Sequence, residues 1–159
     1  MHAGRLSAAS SLRVHEVTKV STLEHLKITA GPFVFKARLL NGEAPRTCAA
    51  FTSRLPFKTR IVHVRWSGEA VWSPLGDYDF GVGPENPTSH PSRGDVLLYP
   101  AQASESEILI AYGACRFASK VGQLAGNHFL IIEDGIGQLA ELGGKCLWEG
   151  AQDIVFEAA

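Results

Sequence analysis

Short stretches in which apolar and polar residues alternate follow one another along most of the chain. Residues 25–30 and 33–40 carry this alternation on either side of a Gly31-Pro32 turn, which predicts a β-hairpin. The same period of two, or a short apolar run, predicts further strands over residues 60–66, 69–72, 95–99, 104–112, 127–133 and 153–156. The chain is therefore predicted to be mainly β.

Helical spacing is limited to two segments. Over residues 45–55, apolar residues recur at intervals of three and four, and Pro56 ends the pattern. The second helix is predicted over residues 136–142, where Gly143-Gly144 stops it. Many short strands with two short helices favour an antiparallel barrel or sandwich.

Three stretches lack a regular period. Residues 73–92 contain three glycines and four prolines, and a loop of this length in a compact domain is more often functional than not. Residues 113–126 are predicted to be loop, with one helical turn near residues 116–121. Residues 1–24 have few large apolar side chains, which predicts an extension that is flexible or packs on a neighbouring subunit, ahead of a barrel domain at residues 25–159.

Composition narrows the class of protein further. The 159 residues suit one domain, and 15 Lys+Arg against 16 Asp+Glu leave a net charge of −1, which argues against nucleic acid as a partner. The N-terminus has no apolar run of the roughly 7–15 residues that a signal peptide needs, and no window of the chain reaches the roughly 20 residues of a membrane span. Three cysteines without C-x-x-C spacing favour a reducing compartment. We therefore expect a cytoplasmic protein without a nucleic-acid or membrane partner.

Two pairs of polar residues are spaced so that their side chains share a strand face. His63 and Arg65 are two residues apart, which places their Cβ atoms roughly 7 Å from each other. Arg65 either holds an anionic group or pairs with Glu69 as a surface ion pair. Glu105 and Glu107 either converge on a pocket or metal, where their repulsion would raise the pKa of one of them, or mark a solvated strand end.

The remaining candidates surround these pairs. Glu85 lies in the 73–92 loop, which is long enough to fold over the carboxylates. His128 is either a hydrogen-bonded structural residue or part of the site. Trp72, at the mouth of the long loop, is the best aromatic candidate for a ligand wall, whereas Trp66 is expected in the core. The histidines are too scattered for a metal signature, and no dinucleotide or phosphate loop is present, so no metal or cofactor is predicted.

Two segments resemble the cyclophilins. The helix Ala44-Pro45-Arg46-Thr47-Cys48-Ala49-Ala50-Phe51-Thr52, followed by a strand with His63 and Arg65, is similar to the opening of that family. Gly126-Asn127-His128-Phe129-Leu130-Ile131 is similar to a later cyclophilin strand. Over roughly residues 26–157 the resemblance implies a closed antiparallel β-barrel with two short capping helices. It also implies that Arg65 matches the catalytic arginine, His128 a glutamine and Leu130 a pocket phenylalanine.

The chain is more similar to a bacterial cyclophilin-like family of unassigned function. The segments that carry this similarity are residues 65–69, 85–88 and 104–107. The sequence departs from the true isomerases, because it lacks their Phe-X-X-Gln-Gly-Gly and Trp-Leu-Asp-Gly-X-His segments. The resemblance therefore implies a fold rather than a reaction.

Three functions are consistent with these observations. The first is a polar pocket for a small anionic or zwitterionic metabolite, either catalytic or binding only. Arg65 would hold the anionic group, Asn86 and His128 would orient it, and Glu105 or Glu107 would act as acid or base. The expected ligand-binding residues around them are His63, Glu69, Trp72, Glu85, Asn86, Tyr112, Asn127 and Leu130.

The second function is peptidyl-prolyl isomerisation, with Arg65 as electrostatic catalyst and Leu130 in a reduced proline pocket. The third is a non-catalytic interaction module. The missing isomerase segments favour the metabolite pocket over the isomerase. A barrel edge left open by irregular strands, together with the N-terminal extension, predicts a homo-oligomer.

Overall fold

A computed structural model describes residues 23–159, and residues 1–22 of the predicted extension lie outside the described residues. The described part contains eleven strands and two α-helices. The strands are β1 (His25–Ala30), β2 (Phe33–Leu39), β3 (Phe57–His63), β4 (Gly68–Gly76), β5 (Pro87–Thr88), β6 (Asp95–Tyr99), β7 (Ser106–Cys115), β8 (Ala118–Ser119), β9 (Gly122–Gln123), β10 (Gly126–Asp134) and β11 (Gln152–Ala158). The helices are α1 (Pro45–Thr52) and α2 (Leu139–Glu149), and a 3₁₀ turn (Ile136–Gln138) leads into α2.

Eight of the strands form a closed antiparallel barrel in the order β2-β1-β11-β3-β4-β7-β6-β10. Pairing of β2 with β10, through Leu39 opposite Leu130, closes the circle. The prediction of a closed antiparallel barrel with two helices is confirmed. The expected open edge is absent from these eight strands, so the predicted homo-oligomer loses that support and stays a prediction.

The barrel interior follows the alternation read in the sequence. Leu26, Ile28 and Ala30 of β1 all point into the core, while the residues between them are less buried. Helix α1 adds Phe51, which packs against four other phenylalanines at ring-centroid distances of 5.1–6.2 Å. These partners are Phe57, Phe80, Phe129 and Phe156. The apolar side of the predicted first helix therefore packs into the barrel core.

Helix α2 continues through Gly143-Gly144, so the predicted stop at this pair was wrong. Gly143 is buried beneath the ring of Tyr112, and a Cβ there would lie 2.5 Å from the Tyr112 Cζ atom. The residue is glycine because the ring passes so close, and the helix ends instead at Gly150, which has a φ of 94°. Neither helix within residues 23–159 has the length and apolarity that crossing a membrane requires.

Strand β3 lies three residues earlier than predicted. It ends at His63, so Trp66 falls in the turn that follows and is 61% exposed, which overturns its expected place in the core. Ile61 takes the buried position instead. The helical turn predicted near residues 116–121 was also wrong, because β8 and β9 form a small two-stranded sheet there.

A second apolar cluster lies outside the barrel and includes residues of β4, β6 and β7. Phe117 and Leu124, which flank the β8–β9 hairpin, pack against Leu97, Tyr99 and Leu109. Gly126 makes room for this contact, since a Cβ at that position would lie 2.7 Å from the Phe117 ring. The cluster holds the hairpin against the barrel wall.

Candidate functional site

A cavity of about 370 Å³ opens between the β8–β9 hairpin and the barrel wall, and we call it the Glu107 cavity. Its volume falls within the range of small-molecule sites. The lining residues come from the end of β3 and the turn after it, from β4, from the segment around the start of β7 and from the hairpin. They are Val62, His63, Val64, Arg65, Trp66, Ser67, Trp72, Ser104, Glu105, Glu107, Ala118, Ser119 and Lys120.

Glu107 is the buried carboxyl of this cavity. It lies on β7 between Pro74 of β4 and Tyr99 of β6, and it is only 5% exposed. It has no hydrogen-bond partner among residues 23–159. Burial raises the pKa of Glu107 to about 8, and the negative charge of Glu105 adds to the effect. At neutral pH the carboxyl is therefore mostly protonated and can both donate and accept a hydrogen bond.

The charged groups at the cavity rim are more exposed. The Gly76 N–H donates to Glu105 Oε2 at 3.1 Å, which fixes Glu105 just before β7 begins. Arg65 and Lys120 form no ion pair within the described part of the chain. The alternative partner considered for Arg65 was Glu69, but Glu69 Oε1 accepts from the Ala114 N–H at 2.9 Å.

His63 joins the cavity wall to a tyrosine behind it. The Nδ1 atom lies 2.8 Å from the Val64 carbonyl oxygen, and Nε2 lies 2.6 Å from the Tyr112 hydroxyl. Because a carbonyl only accepts, we assign the proton to Nδ1, and Nε2 then accepts from Tyr112. Burial raises the pKa of Tyr112, and the negative charges of Glu69 and, at high pH, of the Cys146 thiolate raise it further. Tyr112 thus supports the cavity through His63 without lining it.

Glu85 belongs to a separate polar cluster, the α1 cluster, formed by Thr47, Glu85 and Asn127. Glu85 Oε1 accepts from the Thr47 backbone N–H and hydroxyl, each at 2.8 Å, while Oε2 accepts from Arg46. Burial alone would raise the pKa of Glu85, but these hydrogen bonds outweigh it and lower the pKa below its ordinary value. Glu85 therefore caps the N-terminus of α1, and the loop that carries it does not cover the cavity.

Asn127 completes the α1 cluster from β10. Its Nδ2 donates to Thr47 Oγ1 at 3.1 Å and to the Gly83 carbonyl at 2.9 Å, and its Oδ1 accepts from the Glu85 N–H at 3.0 Å. All of its hydrogen-bonding groups have protein partners. This placement gives Asn127 a structural role instead of the expected contact with a ligand beside Arg65.

Three further candidates also lie outside the Glu107 cavity. Asn86 donates from Nδ2 to the His128 carbonyl at 2.9 Å and has a φ of 47°, so it serves a tight turn. His128 Nε2 lies 3.2 Å from Asp95 Oδ1. Leu130 is fully buried in the barrel core. The geometry does not support the expectation that Asn86 and His128 orient a ligand held by Arg65.

The structure thus brings five of the predicted site residues into one cavity. They are His63, Arg65, Trp72, Glu105 and Glu107. Sequence reasoning missed Trp66 and Lys120. Trp66 was assigned to a strand that had already ended, and Lys120 lies in a hairpin whose two-residue strands are too short to show a period.

The cysteines and possible metal ligands add no second centre in the described part of the chain. Cys48, Cys115 and Cys146 are free, and burial raises their pKa values to about 12, 11 and 11. They are protonated thiols near neutral pH, and the neighbouring Arg116 does not activate Cys115. Within residues 23–159, no three His, Cys, Asp or Glu side chains are grouped to hold a metal ion.

The chain belongs to a family described as protein of unknown function (DUF3830), whose model matches residues 26–158. This agrees with the predicted family of unassigned function. No curated protein sequence is similar enough to count as a match.

Solved structures with the same fold include three kinds of protein. McbB in complex with tryptophan has a TM-score of 0.65 at 17% identity, and the match covers 83% of this chain but 44% of McbB. The hypothetical protein AF2241 from Archaeoglobus fulgidus has a TM-score of 0.58 at 18% identity, covering 86% of this chain and 95% of that one. A cyclophilin-type peptidyl-prolyl cis-trans isomerase from Cryptosporidium parvum has a TM-score of 0.51 at 15% identity, with 86% and 98% covered.

This chain therefore spans less than half the length of McbB. At these identities the similarities establish the fold alone. The predicted cyclophilin-like fold is confirmed.

Proposed function

We propose that the Glu107 cavity binds a small anionic or zwitterionic metabolite. The observation that carries this proposal is Glu107 itself, a carboxyl that is 5% exposed, faces the cavity and has no hydrogen-bond partner among residues 23–159. Because Glu107 lines the cavity, a ligand there can form the hydrogen bonds that residues 23–159 do not supply to this carboxyl.

The other residues that line the cavity indicate the charge and the apolar character of the ligand. Arg65 presents a guanidinium that has no carboxylate partner among residues 23–159, and guanidinium groups bind carboxylate or phosphate through two parallel hydrogen bonds. Trp66 and Trp72 provide apolar and aromatic surface between the charged groups. The ligand therefore has an anionic end and a small apolar body. A carboxyl whose pKa is about 8 also suits general acid or base catalysis near neutral pH.

A thermal-shift screen of small metabolites tests this proposal. A ligand raises the melting temperature by mass action, and Arg65→Lys should reduce the shift sharply because an ammonium group cannot reproduce the two parallel bonds. Arg93→Lys is the matched control, because Arg93 is exposed and does not line the cavity. A ligand whose shift is unchanged in Arg65→Lys, Glu105→Gln and Glu107→Gln would place the binding site elsewhere.

Peptidyl-prolyl isomerisation is the second candidate, favoured by the cyclophilin-like barrel and by the place of Arg65 on the cavity rim. Leu130, expected in a reduced proline pocket, is instead buried in the barrel core. A prolyl-peptide assay separates the two functions. Turnover that Arg65→Ala abolishes would favour the isomerase over metabolite binding.

The three free cysteines support a reducing compartment such as the cytoplasm as the site of action. We retain the homo-oligomer as a proposal that rests on the N-terminal extension alone. Sedimentation of the full chain as a monomer at micromolar concentration would refute it.

A further inference from the structure

We infer that the ligand is a zwitterion that places a protonated amino group against Glu105 and Glu107 and its anionic group against Arg65. This inference rests on the proposed function and names the chemical class of its ligand. It follows from the unpaired charges of the cavity wall.

The acidic side of the cavity has no counter-ion among residues 23–159. Glu105 uses one carboxylate oxygen to accept from the Gly76 N–H, and the other has no partner among the described residues. Glu107 has none for either oxygen. Neither carboxyl forms an ion pair within residues 23–159, although Arg65 and Lys120 line the same cavity. A cationic group of the ligand would supply the missing counter-ion.

The basic side is unpaired in the same way. Arg65 and Lys120 have no carboxylate within ion-pair distance in the described part of the chain. The acidic and basic groups therefore line one cavity without forming ion pairs with each other within residues 23–159. A purely anionic ligand would pair with Arg65 and Lys120 but leave Glu105 without a counter-ion, and a simple cation would leave Arg65 and Lys120 unpaired. A zwitterion satisfies both sets at once.

The aromatic wall suits the same ligand. Trp72 and Trp66 both line the cavity, and the face of an indole ring attracts an ammonium group as well as an apolar body. Glu107 is the deepest of the charged groups, since Arg65, Glu105 and Lys120 are all exposed. The amino end of the ligand therefore enters first.

Binding of this kind releases a proton. Glu107 holds a proton in the empty cavity at neutral pH, and a cation beside it favours the carboxylate. The titratable or charged groups around Glu107 are Glu105, His63, Arg65 and Lys120 of the cavity wall and Tyr99 across the sheet. Affinity for a zwitterion should rise about tenfold per pH unit as pH approaches 8, and then level off.

Calorimetry with the full chain tests the inference, using the twenty free α-amino acids as probes. The tightest probe is compared with its N-acetyl derivative, which lacks the ammonium charge, and with its amide, which lacks the carboxylate. We expect each derivative to bind at least about tenfold more weakly, because each loses a charge-assisted contact. Titration at pH 7 in buffers of different ionisation enthalpy should show release of close to one proton.

Variants assign the two ends of the ligand. In Glu107→Gln and in the exposed Glu105→Gln, the parent probe should lose most of its advantage over the N-acetyl derivative. Arg65→Gln should remove the advantage over the amide, and Glu141→Gln, on the exposed face of α2, is the control that should change neither.

The outcomes separate the inference from the proposed function. If the N-acetyl derivative binds as tightly as the parent, or if only anions without an amino group bind, the zwitterion is refuted while the metabolite site stands. If neither the amino acids nor the wider metabolite screen yields a ligand sensitive to Arg65 and Glu107, both proposals fail.

Discussion

Glu85 and Glu107 are two shielded carboxyl groups whose surroundings are opposite. The Glu85 side chain is 9% exposed and accepts four hydrogen bonds from Arg46 and Thr47, so its pKa lies below the ordinary value. Glu107 is 5% exposed, accepts none from the described residues and has its pKa raised to about 8. Burial penalises both carboxylates, and local hydrogen bonds decide which one stays ionised.

The contrast between these two carboxyls distinguishes a structural cluster from a candidate ligand site. In the α1 cluster, every polar group of Asn127 and both oxygens of Glu85 have protein partners, so nothing is left for a ligand to satisfy. In the Glu107 cavity, residues 23–159 provide no hydrogen-bond partner for Glu107 and no carboxylate partner for Arg65. Polar residues that look alike in sequence thus separate into a helix cap and a candidate binding site.

Glu107→Gln should gain more stability at high pH than any other substitution considered below. The folded-state pKa of about 8 lies above the ordinary 4.5, so stability from the protonated carboxyl is complete below pH 4.5 and is lost as pH rises through 8. The loss is on the order of 4 kcal/mol, and a neutral glutamine avoids it. Urea denaturation at pH 5 and pH 9 should show the variant gaining on the wild type. Parallel pH profiles for the two proteins would contradict the raised pKa.

Glu85→Gln should act in the opposite direction by about 2 kcal/mol at pH 7, because it removes a charged helix cap. The pKa of Glu85 is lowered by folding, so its contribution is complete above the ordinary pKa and is lost as pH falls through the folded-state value. Denaturation curves of variant and wild type should therefore converge in acid. A difference that persists unchanged at low pH would mean that packing, not charge, is lost.

Tyr112→Phe tests the hydrogen bond that supports His63 from behind the cavity wall. The substitution removes the hydroxyl that His63 Nε2 accepts from, at a cost of about 1 kcal/mol in the free energy of unfolding. Tyr78→Phe is a matched control at a partly exposed tyrosine that does not line the cavity. An effect of Tyr112→Phe no larger than that of the control would show that the His63 contact adds no stability.

The smallest effect is expected for Glu105→Gln. Burial is the larger cause of the raised pKa of Glu107 and the Glu105 charge the smaller one. Removing that charge should lower the pKa of Glu107 while leaving it above the ordinary value. NMR titration of the side-chain carboxyl groups measures the pKa of Glu107 in the wild type and in Glu105→Gln. A return of the pKa to 4.5 would show that repulsion, not burial, controls this group.

The barrel was predictable because each strand buries one face in the core, and this burial produces an alternation of apolar and polar residues in the sequence. Alternation identified β1 and β2, and helical spacing identified α1. The errors occur where tertiary contacts override local pattern. Gly143 resembles a helix stop, but its identity is explained by the ring of Tyr112, which comes from a distant strand.

The site was predictable only in part, for a related reason. The spacing of Glu105 and Glu107 was enough to suggest two carboxyls facing one pocket. Glu85, by contrast, caps a helix 38 residues earlier in the chain, and no local signal distinguishes such a cap from a ligand contact. Lys120 reaches the cavity through a hairpin whose place depends on packing by Phe117 outside the barrel.

The β8–β9 hairpin forms part of the cavity wall but is not a strand pair of the barrel sheet. Ser67 exchanges hydrogen bonds with Ala118, each 3.0 Å long, and the hairpin strands pair only with each other within the described sheets. One wall of the cavity therefore belongs to the barrel and the facing wall to an appendage. Mutations at the hairpin tip would change the lining of the cavity at Lys120 without changing the pairing of any barrel strand. Under the proposed function, such mutations would vary ligand specificity while the barrel keeps its stability.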